Sequence, residues 1–461
     1  MRIYQRPSYS ARRTTAWSYI GTGILACLAL FVAGCAEETN IYDGPQIEIP
    51  PLPAYRFPLQ IDAGSESLVD QDGTPFFLHG DAGWSLISET RREDVELYLE
   101  DRVARGFNSI LVVLIDHTDP LTNAYDHAPF LIDGDFATPN EDYFEYADWV
   151  IESATQRGLQ VWLSPIYLGW EGGDEGFYQD VLAAGAVSMR AWGQWVGQRY
   201  VAVDGLVWLM GGDYVPPAEG LALLAEVAAG IAEVDSRHIF TAHWAQEVSG
   251  REVATEWLEL NNTYTYGPVY LKTLEDYRSG SRPFVLLESI YENSHDAPTQ
   301  QIRAQAYYAL LAGAKGHFFG NSPVWKFGEG WQSQLNSRGT AGMMHLRALF
   351  AGIDWNSLRP DVDGAMIASG RGQWGERDYA VAARNSAGNL ALVYVPTSRE
   401  LNLDLSTMAG PCSAQWFDPT DGSYAPLTAS PLPNSSSVVI PAPGNNGDGD
   451  GDWLLLLQVG S

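Results

Sequence analysis

Gly205-Leu206-Val207-Trp208-Leu209-Met210-Gly211-Gly212-Asp213-Tyr214 is the stretch on which the reading of the fold turns. An apolar run ends in two glycines and then a carboxylate. A run of strand length, bounded by breakers and without polar alternation, reads as a strand buried on both faces. The glycines let the chain turn sharply past it, which leaves Asp213 at the strand's carboxyl end. Arg282-Pro283-Phe284-Val285-Leu286-Leu287-Glu288 repeats the design, with Glu288 closing an apolar run. Acids at the C-terminal ends of two parallel strands face one mouth, where barrel enzymes hold their chemistry. Two opposed carboxylates are also what glycoside hydrolysis requires. One protonates the leaving oxygen, and the other attacks or activates water.

Working outward, the segments at 76–81, 109–116, 159–167, 205–213, 237–244, 262–266, 283–288 and 316–320 read as strands. Segments of helical spacing lie between them, the first at 90–105 with Thr90 as N-cap and Gly106 as stop. Asn140 caps another that ends before Gly158. Eight such units, after a lead-in hairpin at 59–68, predict a (β/α)₈ TIM barrel. A doubly wound open sheet competes, but no Gly-rich phosphate loop follows the first strand. Past residue 355 helical periodicity gives way to short runs between turns, which predicts a small antiparallel β-sandwich domain. The 444–452 loop alternates Gly, Asn and Asp without the acid spacing of a defined calcium loop, and reads as a solvated turn.

The amino-terminal end is read as targeting sequence and not fold. Arg2, Arg6, Arg12 and Arg13 precede the apolar 20–33 segment, and Val32-Ala33-Gly34-Cys35 has the form of a bacterial lipobox. Cys35 is thereby the expected lipidation site, which places the mature chain at the bacterial cell envelope. With Cys27 removed and Cys35 acylated, Cys412 has no disulfide partner. The resulting division is 1–35 lipoprotein signal peptide, 36–54 linker or tether, 55–355 catalytic barrel and 356–461 β-sandwich.

The formal charge of −30 argues against nucleic acid and anionic membrane surfaces as partners. Membrane contact is expected only through the lipid anchor. The 16 Trp and 23 Tyr exceed ordinary packing needs and suit the apolar faces of sugars, although most are core residues.

Asp213 and Glu288 are the expected catalytic pair, with Asp213 as general acid/base and Glu288 as nucleophile. Asp213 is expected to carry a raised pKa, shielded by Trp208 or Tyr214. Glu292, four residues beyond Glu288, is a rival nucleophile. A shell from other strand ends is expected to bind substrate: His79, Asp81, Trp84, Asp116, His117, Tyr167, Trp170, His243, Tyr264, Tyr266, Tyr291, His317 and Trp325. His79 and Asp81 share a face at period two, as do Tyr264 and Tyr266. No His/Cys/carboxylate spacing matches a zinc site, so neither a catalytic metal nor a cofactor is expected.

Several motifs fit together in order and spacing. They are Phe77-Leu78-His79-Gly80-Asp81-Ala82-Gly83-Trp84, Arg105-Gly106-Phe107-Asn108, the 207–213 and 287–292 stretches, Ala312-Gly313-Ala314-Lys315-Gly316-His317 and Val324-Trp325. Together they resemble the apiosidase-like family, glycoside hydrolase family 140 and its relatives. The tail, with Ala414-Gln415-Trp416-Phe417-Asp418-Pro419, is similar to the collagen-binding-type β-domain found in those chains. The resemblance implies a barrel that cleaves plant or marine glycans, with Asp213 and Glu288 in the catalytic roles. In the wider group of retaining barrel glycosidases the strand-four acid is more often the Glu of an Asn-Glu pair. Here it is Asp after Gly-Gly. The expected partner is thus an oligo- or polysaccharide substrate. A catalytically silent surface lipoprotein that captures glycans is the alternative, and an adhesive tail the third reading.

Overall fold

The computed structural model describes residues 40–62, 64, 67–116, 121–253, 255–280 and 282–460. Cys35, with the rest of the targeting segment, and His117 lie outside the described residues. Among the described residues no helix is long and apolar enough to cross a membrane.

A hairpin of β1 (Gln60–Asp62) and β2 (Ser67–Val69) leads in. The barrel strands are β3 (Leu78–Ala82), β4 (Ser109–Val113), β5 (Gln160–Ser164), β6 (Leu206–Gly211), β7 (Phe240–His243), β8 (Asn261–Tyr264), β9 (Phe284–Glu288) and β10 (Gly316–Phe319). They pair in parallel in the order β7-β6-β5-β4-β3-β10-β9-β8, so the last strand lies beside the first and the sheet curls round. The seam falls between β7 and β8, where no ladder forms among the described residues. At its lower end Glu259 and Leu260 donate their N–H groups to Phe240 O at 3.0 and 3.1 Å. The Thr241 hydroxyl donates to Leu260 O at 2.9 Å.

Around the sheet stand α1 (Leu86–Glu89), α2 (Arg92–Ala104), α3 (Glu141–Gln156), α4 (Tyr178–Tyr200) and α5 (Ala218–Ala232). After the seam come α6 (Val269–Arg278), α7 (Thr299–Leu311), α8 (Trp331–Gln334) and α9 (Arg338–Ala351). The expectation of eight full strand–helix units fails at one place, since no described helix joins β7 to β8. Asn140 caps α3 as expected, its side chain accepting from Asp142 N–H at 3.3 Å. Buried Tyr143, Ala147, Val150, Ile151 and Ala154 recur at helical spacing and turn α3 onto the sheet. Thr90 does not cap α2. Its hydroxyl turns back to Leu86 O at 2.5 Å and closes α1, which leaves Arg91 as the N-cap without a side-chain bond.

The strands are buried on both faces, and most are apolar on both, because both faces are covered. Leu78, Leu111, Trp162, Val207, Leu209, Val285, Leu287 and Phe318 pack inside the barrel, while Ile110, Val112, Val161, Leu206, Trp208 and Met210 meet the helices. Residues 40–42, read as part of a tether, are fastened to the barrel. Tyr42 N–H donates to Asn336 O at 2.8 Å, and Asn336 returns its amide to Tyr42 O at 2.8 Å.

The carboxyl-terminal part is two antiparallel sheets. Six strands form one, namely β11 (Leu358–Pro360), β13 (Val381–Asn385), β14 (Leu390–Val395), β19 (Trp453–Val459), β16 (Cys412–Phe417) and β17 (Tyr424–Pro426). The other holds β12 (Ile367–Ser369), β15 (Leu401–Leu403) and β18 (Val438–Ile440). Leu455 and Leu457 face the small sheet, while Leu454 and Leu456 share a core with α7, whose Tyr307 and Tyr308 rings lie 5.2 and 5.3 Å from that of Tyr394. One core therefore runs from the barrel's α7 into this sheet.

The 444–452 loop, expected as a solvated turn, is held from inside. Arg303 of α7, only 1% exposed, places Nη2 2.8 Å from Asp450 Oδ2 and 2.9 Å from buried Asp452 Oδ1. Its Nη1 lies 3.4 Å from Asp448 Oδ2. The acids are spaced around a guanidinium, which the loop's composition alone does not reveal.

Candidate active site

The C-terminal ends of the strands enclose a cavity of about 590 Å³. Trp84, Asp116, Tyr167, Asp213, His243, Tyr264, Tyr266, Glu288, Tyr291 and Trp325 all line it. Nine of these had been expected as shell or catalytic residues by their position just past a strand, and Tyr266 by its period-two relation to Tyr264.

Two backbone devices aim the carboxylates. After β6, Gly211 and Gly212 take φ of 95° and 132°, and Asp213 itself takes 52°. A Cβ at Gly212 would lie 2.7 Å from Leu168 N, so the turn requires glycine for space as well as for φ. A left-handed aspartate costs conformational energy, the kind of strain found where a side chain must be presented. In β9 the pairing with β8 slips, with Thr263 opposite Leu286 but Tyr264 opposite Glu288. The extra residue is a bulge, which turns Glu288 into the mouth beside inward Leu287.

His243, at the end of β7, touches both. Its Nδ1 accepts the Asp213 backbone N–H at 3.3 Å, and its Nε2 lies 2.8 Å from Glu288 Oε2. Its ring stacks on Trp84 at 5.1 Å and 15°. Trp84 in turn donates Nε1–H to the Tyr291 hydroxyl at 2.8 Å.

The two acids have unlike surroundings. Burial pushes Asp213 up to about 7, with the Glu288 charge adding to the rise and His243 and the Tyr264 hydroxyl opposing it. The shielding does not come from Trp208, which faces the helices and donates Nε1–H to Asp235 Oδ2 at 2.9 Å. Nor does it come from Tyr214, which packs against Tyr178. Tyr167 and Tyr264 stand there instead. Burial, with the charges of Asp213 and Glu288, keeps their hydroxyls protonated well above the ordinary range, and so available as donors. A carboxyl lifted to about 7 beside a second acid held by an imidazole can divide acid and nucleophile roles.

Several expected shell residues are elsewhere. His79 and Asp81 do share a face, but it is the outer one. Asp81 accepts from the Tyr98 hydroxyl at 2.7 Å and lies 3.5 Å from Arg102 Nη1. Burial raises it to about 6. His79 Nδ1 lies 3.0 Å from His317 Nε2, and its ring stacks on Phe107 at 4.7 Å. Glu292 is 1% exposed and is enclosed by donors. It accepts from Asn40 at 2.6 Å, Asn321 at 2.8 Å, Ser337 at 2.5 Å and Gly339 N–H at 2.7 Å, the last two at the start of α9. It fastens the amino-terminal stretch to α9, away from the cavity, and is no rival to Glu288. Trp170 is 53% exposed and does not line the cavity.

The displaced histidines carry a prediction. Burial holds both imidazoles below their ordinary value, His317 at about 3. The unfolded chain takes up these protons near pH 6.5 and the folded chain does not, so their penalty is absent above that pH and grows below it. The slope is about 1.4 kcal/mol per pH unit for each imidazole. His317→Gln is therefore expected to lose about 2 kcal/mol less than wild type between pH 6.5 and 5. Urea titrations at the two pH values check this, and equal losses would sink it.

Glu89, Glu175, His295, Lys326 and Gly328 also line the cavity and were not anticipated. They lie on loops and on α1, away from the strand-end positions that identify the others. Lys326 Nζ sits 5.6 Å from the Trp325 ring centroid. Glu89 is raised by burial and by the Asp116 charge, and lowered by Lys326.

Residues 62–357 match the family profile described as "Apiosidase-like, catalytic domain". Residues 363–458 match one described as "Putative collagen-binding domain of a collagenase". No curated protein matches the sequence. Among solved structures, a glycoside hydrolase family 5 protein from Bacteroides vulgatus is 22% identical with a TM-score of 0.74, covering 87% of this chain and 93% of its own. A structure described as a glycoside hydrolase is 22% identical with a TM-score of 0.76, covering 89% of this chain and 98% of its own. At these identities the likeness is one of fold.

Proposed function

We propose, from the premise that this chain belongs to the apiosidase-like family and is a glycoside hydrolase, a two-step retaining hydrolysis carried by Asp213 and Glu288. Protonated Asp213 gives its proton to the glycosidic oxygen as the bond to the anomeric carbon breaks. Glu288 attacks that carbon and forms a covalent glycosyl ester. Asp213, now a carboxylate, takes a proton from water as the water attacks the same carbon and frees Glu288. The observation that carries this reading is the shared cavity in which the two acids meet one imidazole, with Asp213 raised to about 7.

Retention needs carboxyls about 5–5.5 Å apart, and inversion about 6.5–9.5 Å. Trp84, Tyr167, Tyr264, Tyr266, Tyr291 and Trp325 supply flat rings for a sugar, consistent with a plant or algal polysaccharide substrate. Glu89, Asp116 and Glu175 add negative charge around the pair, against Lys326. A neutral sugar is therefore favoured over a uronate at the cleaved position.

A panel of 4-nitrophenyl glycosides and plant and algal glycans tests the proposal, with NMR following the anomer first released. Release of a neutral sugar with its starting configuration is expected. An inverted first product would remove Glu288 as nucleophile. Glycan binding without any sugar release would favour capture over catalysis.

A further inference from the structure

We propose that His243 is the positioning residue that sets the Asp213 backbone and the Glu288 carboxylate against each other. This rests on the catalytic roles assigned above to those two residues. Asp213 follows β6 and Glu288 ends β9, with β7 and β8 between them in barrel order. The direct route from one acid to the other thus crosses the seam that lacks a ladder. By paired strands alone, the two are joined only the long way round the barrel.

His243 spans that gap. Its backbone belongs to β7, in register with Gly211, so it is fixed to the strand that leads to Asp213. Its side chain reaches past β8 to Glu288. Other lacing near the mouth comes from the Tyr264 hydroxyl beside Asp213 and from the loop after β7. There Glu247 N–H donates to Tyr264 O at 2.8 Å, and its carboxylate accepts the Thr265 hydroxyl at 2.6 Å. That loop holds β8, whereas His243 holds the carboxylate itself.

The hydrogen bonding selects one tautomer. Because Nδ1 accepts the Asp213 N–H, the ring hydrogen belongs on Nε2, against Glu288. The Nε2 contact is short but bent from an ideal hydrogen-bond line. Stacking on Trp84 from one side and the Tyr264 ring at 5.4 Å fix the plane of the imidazole. The charged or titratable groups facing it are Glu288 from β9, Asp213 from the turn after β6, and Tyr264 from β8. Burial opposes a charge on His243, but Glu288 and Asp213 raise its pKa above the ordinary value. A second proton, at Nδ1, would break the bond to Asp213.

Two variants and one spectrum test this. His243→Phe keeps a ring on Trp84 but neither nitrogen, and His243→Gln keeps one donor and one acceptor. On the 4-nitrophenyl glycoside that wild type hydrolyses fastest, the Phe variant is expected to lower kcat about 10²-fold with KM nearly unchanged. The Gln variant is expected to recover most of that loss. The loss should be equal on good and poor leaving groups, because both acids are disturbed. A loss confined to poor leaving groups, or wild-type kcat in the Phe variant, would overturn the proposal. So would a fall in Tm that Gln does not repair, since that marks a structural role. Nitrogen NMR of the wild-type chain needs no turnover, and so separates failure here from failure of the catalytic assignment. The Nε2-protonated tautomer is expected, and an Nδ1-protonated neutral ring would refute it.

Discussion

Glu288→Gln is expected to stop turnover of every glycoside that wild type hydrolyses, a loss on the order of 10⁴-fold in kcat. The amide cannot form the glycosyl ester, and leaving-group quality does not change that. Asp213→Ala should behave differently. On substrates with poor leaving groups it should cost about 10²–10⁴-fold, the usual contribution of a positioned proton donor. On activated aryl glycosides, whose leaving group departs without a proton, bond cleavage should be nearly spared, and ester hydrolysis should then limit the rate. The pH profile gives the same assignment a second test. Asp213 must be protonated to act, and burial lifts it to about 7. Wild-type kcat/KM is therefore expected to fall as pH rises through about 7. Asp213→Ala should lose that limb on the activated substrate. If the limb persists in the variant, another group is the acid.

The second large effect concerns stability. Arg303→Met is expected to destabilise the chain by about 3–5 kcal/mol, because it leaves a buried acid without its counter-ion. Asp452 is fully buried, and its other partners are the Asn446 amide at 2.7 Å and the Tyr394 hydroxyl at 3.3 Å. Burial raises its pKa, and Arg303 with the Asn446 amide lowers it, so removing the guanidinium leaves burial and the Asp450 charge opposed by the amide. Adding Asp452→Asn to Arg303→Met should recover a large part of the loss, since no unpaired charge then remains. Urea denaturation of wild type and both variants measures the difference. A single variant within 1 kcal/mol of wild type would mean the guanidinium and its acids nearly offset their own desolvation.

The barrel was legible because its strands are covered on both sides, which writes several of them, as at 110–115, 206–210 and 284–287, as unbroken apolar runs. Asp213 and Glu288 were legible for a related reason, since each is the first charge after such a run. Facing was harder to read. Period two puts His79 and Asp81 on one face but does not say which face is inward. That is decided by Phe107, Tyr98 and Arg102, which receive them on the helix side. The choice between Glu288 and Glu292 depended on a bulge in β9 and on donors from residues 40, 321, 337 and 339. Neither leaves a local mark in the sequence. Glu89, Glu175, His295 and Lys326 reach the cavity from segments whose course follows no simple period. The 444–452 loop shows the same limit, since its partner Arg303 lies about 150 positions earlier in the chain.

The core that Leu454, Leu456 and Tyr394 share with Tyr307 and Tyr308 of α7 makes the barrel half a poor cassette for transplantation. Cutting the polypeptide after the barrel would strip the outer side of the very sector that joins β9 to β10, next to Glu288. Recombinant boundaries drawn at the family junction would expose a greasy wall. The appended sheets are better regarded as the barrel's missing outer layer, whatever else they touch.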